Sequence, residues 1–299
     1  MNQLIIGTRG SPLALAQSNL MRALLQRAHP GLAVELKIIK TSGDIFQAAP
    51  MTAASGKGFF TKEIEEQLLA GQIQLAVHSL KDLPTELPAG LALGAVPTRE
   101  DPHDVWVSRQ YAGLEAVPPG ARVATSSVRR RAQLLACRPD LQLEEIRGNV
   151  ETRLRRLKER PDLAGTILAA AGLKRLGLWE TTQRDSFRQR LEFDVMLPAV
   201  GQGLIGCEVR AADAATGAWV GALNDPDARA CGEAERAFLR AMGGGCQVPY
   251  AAHATCNGPE LQLTAAVFQP DGSNTHRVQV RGAKTAPEQL GAGAAQQLK

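Results

Sequence analysis

Strand-like and helix-like segments alternate along most of the chain, and that order restricts the fold more than any other feature. A strand pattern at Leu4–Gly7 runs into a helix pattern that begins at Ser11, a good N-cap, with Pro12 at the first helical position. Leu13, Ala16, Leu20, Ala23 and Leu24 recur at helical spacing until His29-Pro30-Gly31 stops the helix. Further strand patterns occupy Val34–Ile39, Ile73–Ser79 and Leu91–Val96, with a helix between that Thr61 is placed to cap and Gly71 to close. The middle repeats the theme. Arg122–Thr125, Leu141–Ile146 and Gly165–Ala169 read as strands; Ser126 or Ser127 caps one helix, and Val150, Leu154 and Leu157 line one face of another. Such alternation predicts parallel sheets covered by helices on both sides. The end of the chain differs. Asp227–Met242 is a helix pattern ending in Gly243-Gly244-Gly245, Leu261–Phe268 and Arg277–Arg281 alternate like antiparallel strands about Pro270-Asp271-Gly272, and a last helix starts near Pro287. The fold class is therefore α/β with a small C-terminal α+β domain.

At 299 residues, with 44% hydrophobic and 21% charged residues, the chain can bury proper cores without disulfide staples. Five cysteines without a Cys-x-x-Cys spacing speak against a disulfide framework and a zinc site, and the five histidines show no metal spacing. No apolar run is long enough to span a bilayer, and no basic stretch followed by an apolar core precedes the first strand. A cytoplasmic protein with no bound metal and no membrane partner is expected. The net charge of +4 is too small to imply a nucleic-acid partner, and no aromatic stacking motif accompanies it. Its distribution says more: Arg122 to Arg160 holds ten Arg and one Lys against five acidic residues. A concentrated guanidinium field points to an anionic ligand.

Several junctions carry possible chemistry. The strand ending at Ser79 delivers Leu80-Lys81-Asp82 to the strand end where ligands bind in open α/β sheets. Lys81 and Asp82 suit acid/base work there, or form a solvated surface pair. Thr125-Ser126-Ser127-Val128-Arg129-Arg130-Arg131 joins hydroxyls, guanidinium groups and a helix N-terminus in one anion-binding pattern; a Ser-capped basic turn is the plainer reading. Arg147-Gly148-Asn149, with Arg153 one turn on, lies at the next such junction. Gly56-Lys57-Gly58-Phe59-Phe60-Thr61 lacks the GxxxxGK[ST] order of a nucleotide loop and reads better as a lid bearing one Lys. Gly243-Gly244-Gly245-Cys246 leaves a thiol on an open backbone, or simply buries a Cys after a helix stop.

Taken together and in order, these segments resemble the porphobilinogen deaminases (hydroxymethylbilane synthases). The matching stretches are 6–14, 56–60, 76–82, 99–102, 125–130, 147–150, 171–177, 197–203 and 244–249, so the resemblance covers nearly the whole chain. It implies two periplasmic-binding-protein-like lobes, 1–98 with 198–215 and 102–195, and a third domain, 220–299, that carries the cofactor cysteine. It implies a monomeric transferase that condenses four porphobilinogen molecules into hydroxymethylbilane with release of ammonia. Growth starts from a dipyrromethane cofactor held as a thioether on Cys246.

Each pyrrole carries an acetate and a propionate, which Arg forks pair without ever deprotonating. The resemblance assigns cofactor contacts to Cys246, Lys81, Ser11, Thr125, Ser127, Arg129, Arg130 and Arg147. It assigns the incoming substrate to Arg9, Ser79, Arg147, Arg153, Arg175, Lys57 and Phe60. Asp82 matches the catalytic carboxylate, which would stabilise the cationic azafulvene left by ammonia. Two positions depart from the common pattern: Ala53 replaces a frequent Lys, and His103 a frequent Arg. Rival readings are a non-catalytic polycarboxylate-binding protein of the same two-lobed architecture, which would need neither Cys246 nor Asp82, and an RNA-binding protein.

Overall fold

The structure is a computed structural model describing residues 3–45, 60–181, 186–243 and 249–299. In chain order it begins with β1 (Gln3–Thr8), α1 (Pro12–Ala28), β2 (Ala33–Ile38), the short α2 (Ser42–Ile45), α3 (Lys62–Leu69), β3 (Leu75–Ser79) and β4 (Leu91–Ala95). There follow β5 (Asp104–Ser108), β6 (Arg122–Ala124), α4 (Val128–Cys137), β7 (Gln142–Glu144), α5 (Val150–Glu159), β8 (Leu163–Ala169), α6 (Ala170–Arg175), α7 (Leu178–Thr181) and β9 (Phe187–Leu191). The last stretch holds β10 (Ile205–Arg210), α8 (Ala214–Gly221), α9 (Pro226–Ala241), β11 (Tyr250–Asn257), β12 (Glu260–Phe268), β13 (Thr275–Ala283) and α10 (Pro287–Leu298).

Contacts group these elements into two compact units, Met1–Arg99 with Leu204–Gly232, and Glu100–Gly203 with Glu233–Lys299. The first contains one five-stranded sheet in the order β2-β1-β3-β10-β4. The second contains a five-stranded sheet, β7-β6-β8-β5-β9, and the antiparallel sheet β11-β12-β13. The two larger sheets share a plan. In each, one strand (β10 or β5) runs antiparallel to both of its neighbours. The alternation of elements predicts parallel sheets; the sheets are instead mixed, because no helical crossover leads into β5 or β10 to return the chain in the parallel direction.

Side-chain alternation explains the layers of the first unit. Leu75 and Val77 of β3 join Leu4, Ile6, Met21 and Leu25 on the α1 side. Ala76 joins Ile64, Leu68 and Ile73 on the α3 side. The predicted apolar face of α1 proves rotated: Gln17, Ser18, Met21 and Leu25 are buried, whereas Leu20 is 44% exposed. Thr61 precedes α3 but makes no side-chain capping bond; Ser42 instead donates its backbone N–H to Glu63 of that helix. In the second unit, Trp106, Leu134 and Ile167 centre one cluster, and Val105, Leu157, Leu168 and Leu173 another. α10 packs on β12 and β13 of the small antiparallel sheet, and α9 packs against α10 and accepts the Ala254 N–H of β11 through Glu235. Among the described residues no helix is long and apolar enough to cross a membrane, and no group of three or more His, Cys, Asp or Glu could hold a metal ion.

Candidate active site

In the first unit β1 and β3 are adjacent and parallel, so their C-terminal ends bring Arg9–Ser11 beside Ser79–Asp82. Ser11 caps α1 as predicted, its Oγ accepting the Ala14 N–H at 3.3 Å. The buried Gln17 reaches across and donates Nε2–H to Ser79 Oγ at 2.9 Å. Lys81 and Asp82 lie in a single 3₁₀ turn, Leu80–Asp82. Leu80 and Leu83 anchor that turn in the core with Val96 and Leu204, and the Leu80 N–H bonds to the Leu204 carbonyl at 3.0 Å. The apolar anchors at either end leave Asp82 exposed. The Arg9 guanidinium sits 4.1 Å over the Phe60 ring, so two predicted substrate residues meet by a cation–π contact.

In the second unit β7, β6 and β8 run parallel and end together. Ser127 caps α4, accepting the Arg130 N–H at 3.4 Å, while Thr125 Oγ1 accepts the Ser127 N–H at 3.2 Å. Ser126 donates to the Ile146 carbonyl at 2.7 Å and so ties the β6 and β7 junctions to each other. At the β7 junction Arg147 pairs with Glu145 at 2.8 Å, and Arg153 Nε donates to the Gly148 carbonyl at 2.9 Å. Gly148 has φ +106, and an added Cβ would stand 2.7 Å from Thr152, so this corner requires glycine.

Arg175 closes the set from the end of α6, after β8. Its Nη2 donates to the Gly203 carbonyl at 2.6 Å, but its buried Nε has no acceptor among the described residues. Burial pushes its pKa down to about 10, against the pull of Glu100. Arg129 and Arg130 are placed differently. They are 5% and 6% exposed and both grip Asp104, at 2.7 Å each. Their remaining bonds go to the carbonyls of Leu197 and Ile167. Burial opposes ionisation of Asp104, yet the two guanidinium charges overcome it and hold its carboxyl far below the usual range.

The family comparisons match this arrangement. Residues 4–218 fit the model described as porphobilinogen deaminase, dipyromethane cofactor binding domain, and residues 229–299 fit the porphobilinogen deaminase C-terminal domain. The chain belongs to the porphobilinogen deaminase family. The porphobilinogen deaminases of Pelobacter propionicus, Roseiflexus castenholzii and Geobacter sulfurreducens are 48%, 48% and 46% identical to it. Those alignments cover 99%, 99% and 100% of this chain and 93%, 96% and 92% of the relatives. Among solved structures, the aliphatic sulphonate binding protein SsuA of Escherichia coli is 12% identical with a TM-score of 0.43, covering 81% of this chain and 71% of that one. Porphobilinogen deaminases are transferases of tetrapyrrole biosynthesis.

The residues present suit the family's dipyrromethane, a poly-carboxylate. Donors cluster at strand ends within each unit, and Arg175 Nε, buried and without an acceptor among the described residues, is the donor type that a carboxylate completes. Two predicted members, Cys246 and Lys57, lie outside the described residues, as does Ala53. His103, the other departure, hydrogen-bonds Asp101 through Nδ1 at 2.7 Å. Sequence reasoning missed Gln17 and Asp104, which hold site residues from behind. A signal existed for Gln17, a polar residue one turn after Leu13 and one before Met21, on the face that is buried. Asp104 lies just past the Arg99–Pro102 match and gives no local hint.

Proposed function

We propose that this chain joins four porphobilinogen molecules head to tail, releasing four ammonia molecules, and that water then frees hydroxymethylbilane from a dipyrromethane primer on Cys246. The observation that carries the reading is the gathering of guanidinium, ammonium and hydroxyl donors at the C-terminal strand ends of each unit, around Asp82 in one and Arg175 in the other. The dipyrromethane, when bound, supplies the nucleophilic pyrrole carbon from which the chain grows. The domain division that goes with this reading is 1–98 with 198–215, 102–195, and 220–299.

The protein's own part is recognition and charge control. Arg9, Lys81, Arg147, Arg153 and Arg175 would bind acetate and propionate groups, Arg9 with its plane already fixed over Phe60. Each guanidinium carries five donors, so Arg129 and Arg130 retain some beyond those that Asp104 and the carbonyls use. Ser11, Ser79, Thr125 and Ser127 add hydroxyls whose orientations are set by capping and turn bonds. Loss of ammonia leaves positive charge on the substrate ring, and the exposed Asp82 carboxylate is the group to face it. The same carboxylate can take up the proton released when the new C–C bond forms. One chain supplies every residue named, so the reading needs no second copy, and we place it in the cytoplasm.

Intact mass tests the reading. Purified protein should exceed its sequence mass by one dipyrromethane, and Cys246→Ala should lose that excess. Asp82→Asn should keep the excess while turnover falls at least about 100-fold. A Cys246→Ala protein that retains the added mass, or an Asp82→Asn protein with full turnover, would overturn the corresponding assignment.

A further inference from the structure

On the α3 side of the first sheet, three ionisable side chains meet among the apolar ones. There His78 of β3 lies 3.2 Å from Glu208 of β10, Nε2 to Oε2, with exposures of 6% and 0%. Glu65 of α3, itself 7% exposed, is within electrostatic reach of both. The register explains the meeting. Glu208 pairs with Ala76 across the β3–β10 ladder, so Ala76, His78 and Glu208 share the face that α3 covers. Arg210, two residues along β10 on that face, is engaged by Asp213 and by the carbonyls of Leu68 and Ile73. It is therefore occupied away from Glu208.

Three ionisable groups in one core are costly. Among the described residues neither oxygen of Glu208 has a well-formed hydrogen bond, and the ionisable group in contact with it is the His78 imidazole. Burial first, and then the Glu208 charge, push the Glu65 carboxyl above its usual range. Apolar side chains of similar volume would serve stability as well or better. What distinguishes the cluster is its position. His78 is the residue before Ser79, at the point where β3 passes into the turn bearing Lys81 and Asp82. Gln17 fixes Ser79 from the opposite face of the sheet.

We propose that His78 and Glu208 are positioning residues for Asp82: their buried contact fixes the end of β3 against β10 and so fixes the Leu80–Asp82 turn. This rests on the reading of Asp82 as the reacting carboxylate. The clamp acts through the backbone and touches no substrate, so its signature is a loss in kcat with KM preserved. A shift on the order of 1 Å in a reacting group lowers rate by up to about 100-fold.

The test is the double variant His78→Leu/Glu208→Leu, which removes both polar side chains together and strands neither against an apolar partner. It should unfold at a urea concentration no lower than the wild type, while kcat falls roughly 10- to 100-fold and KM stays within about twofold. His78→Gln, whose amide keeps a polar group beside Glu208, should retain more of the wild-type kcat than the double variant does. Backbone amides of Lys81 and Asp82 should exchange hydrogen faster in the double variant, a readout that needs no turnover. Wild-type kcat and unchanged exchange in a stable double variant would overturn the proposal. If the double variant does not fold, Glu208→Gln replaces it: a lower kcat with faster exchange at Lys81 and Asp82 supports the clamp, and wild-type values of both refute it. Full turnover in Asp82→Asn, with faster exchange in the double variant, would instead remove the role of Asp82 and leave the clamp standing.

Discussion

Asp104 shows how one side chain can organise two others. It is fully buried, and it pairs with both Arg129 and Arg130 at the start of α4, where Ser127 caps the helix. Asp104→Asn would leave two buried guanidinium groups without their counter-charge, and we expect a loss of about 3–5 kcal/mol in urea unfolding. The pH dependence has a definite sign. The folded carboxyl titrates well below its unfolded value, so its stabilisation is complete above the ordinary carboxylate range and fades as pH falls from about 5. The variant should lack that part of the acid limb. Arg175 is the contrasting case: with its pKa near 10 it stays charged at neutral pH, and its buried Nε has no acceptor among the described residues. Arg129, Arg130 and Arg131 of α4 carry a local signal, because basic residues at a strand-to-helix junction mark an anion site, whereas Arg175 is marked only by the resemblance to the family. Local sequence cannot mark Asp104, whose role depends on β5 lying beside β8, a pairing made far along the chain.

At the scale of elements, what is legible is what is local. The strands β1, β3, β6 and β8 and the helices α1, α4, α5, α9 and α10 follow from capping residues and periodicity. The reversed strands β5 and β10 are not legible in this way: both are buried on both faces, so they lack alternation, and their partners are set by chain crossings. Helix faces are equally opaque where polar residues point inward, as Gln17 and Ser18 do. The α9–α10 contact offers a test of packing. Gly291 lies where an added Cβ would run into the Ala234 carbonyl and stand 2.8 Å from Phe238 N. Alanine favours a helix over glycine by about 1 kcal/mol, whereas forced overpacking costs about 1–3 kcal/mol. Steric crowding against backbone should win, so Gly291→Ala is expected to lower the urea midpoint.

Across the whole molecule the charge is nearly balanced, yet cations are concentrated between Arg122 and Arg160. Several pair locally, as Arg138 with Asp140 and Arg160 with Asp162 and Glu144, so the bare count overstates the field. Recognition of carboxylates by exposed cations is screened by salt, with a Debye length of about 8 Å at physiological ionic strength. Raising sodium chloride from about 50 mM to about 500 mM should raise KM for porphobilinogen severalfold and change kcat much less. Insensitivity of KM to salt would argue that binding rests on contacts other than these charges.

The place of β10 also bears on how the polypeptide is made. β4 joins its sheet only through β10, yet more than a hundred residues separate the two in sequence. On a ribosome adding about 5–20 residues per second, residues 91–95 emerge several seconds or more before the strand that will hold them. The nascent chain must therefore carry an unfinished sheet, with an open edge, while the whole of β5 to β9 is being translated.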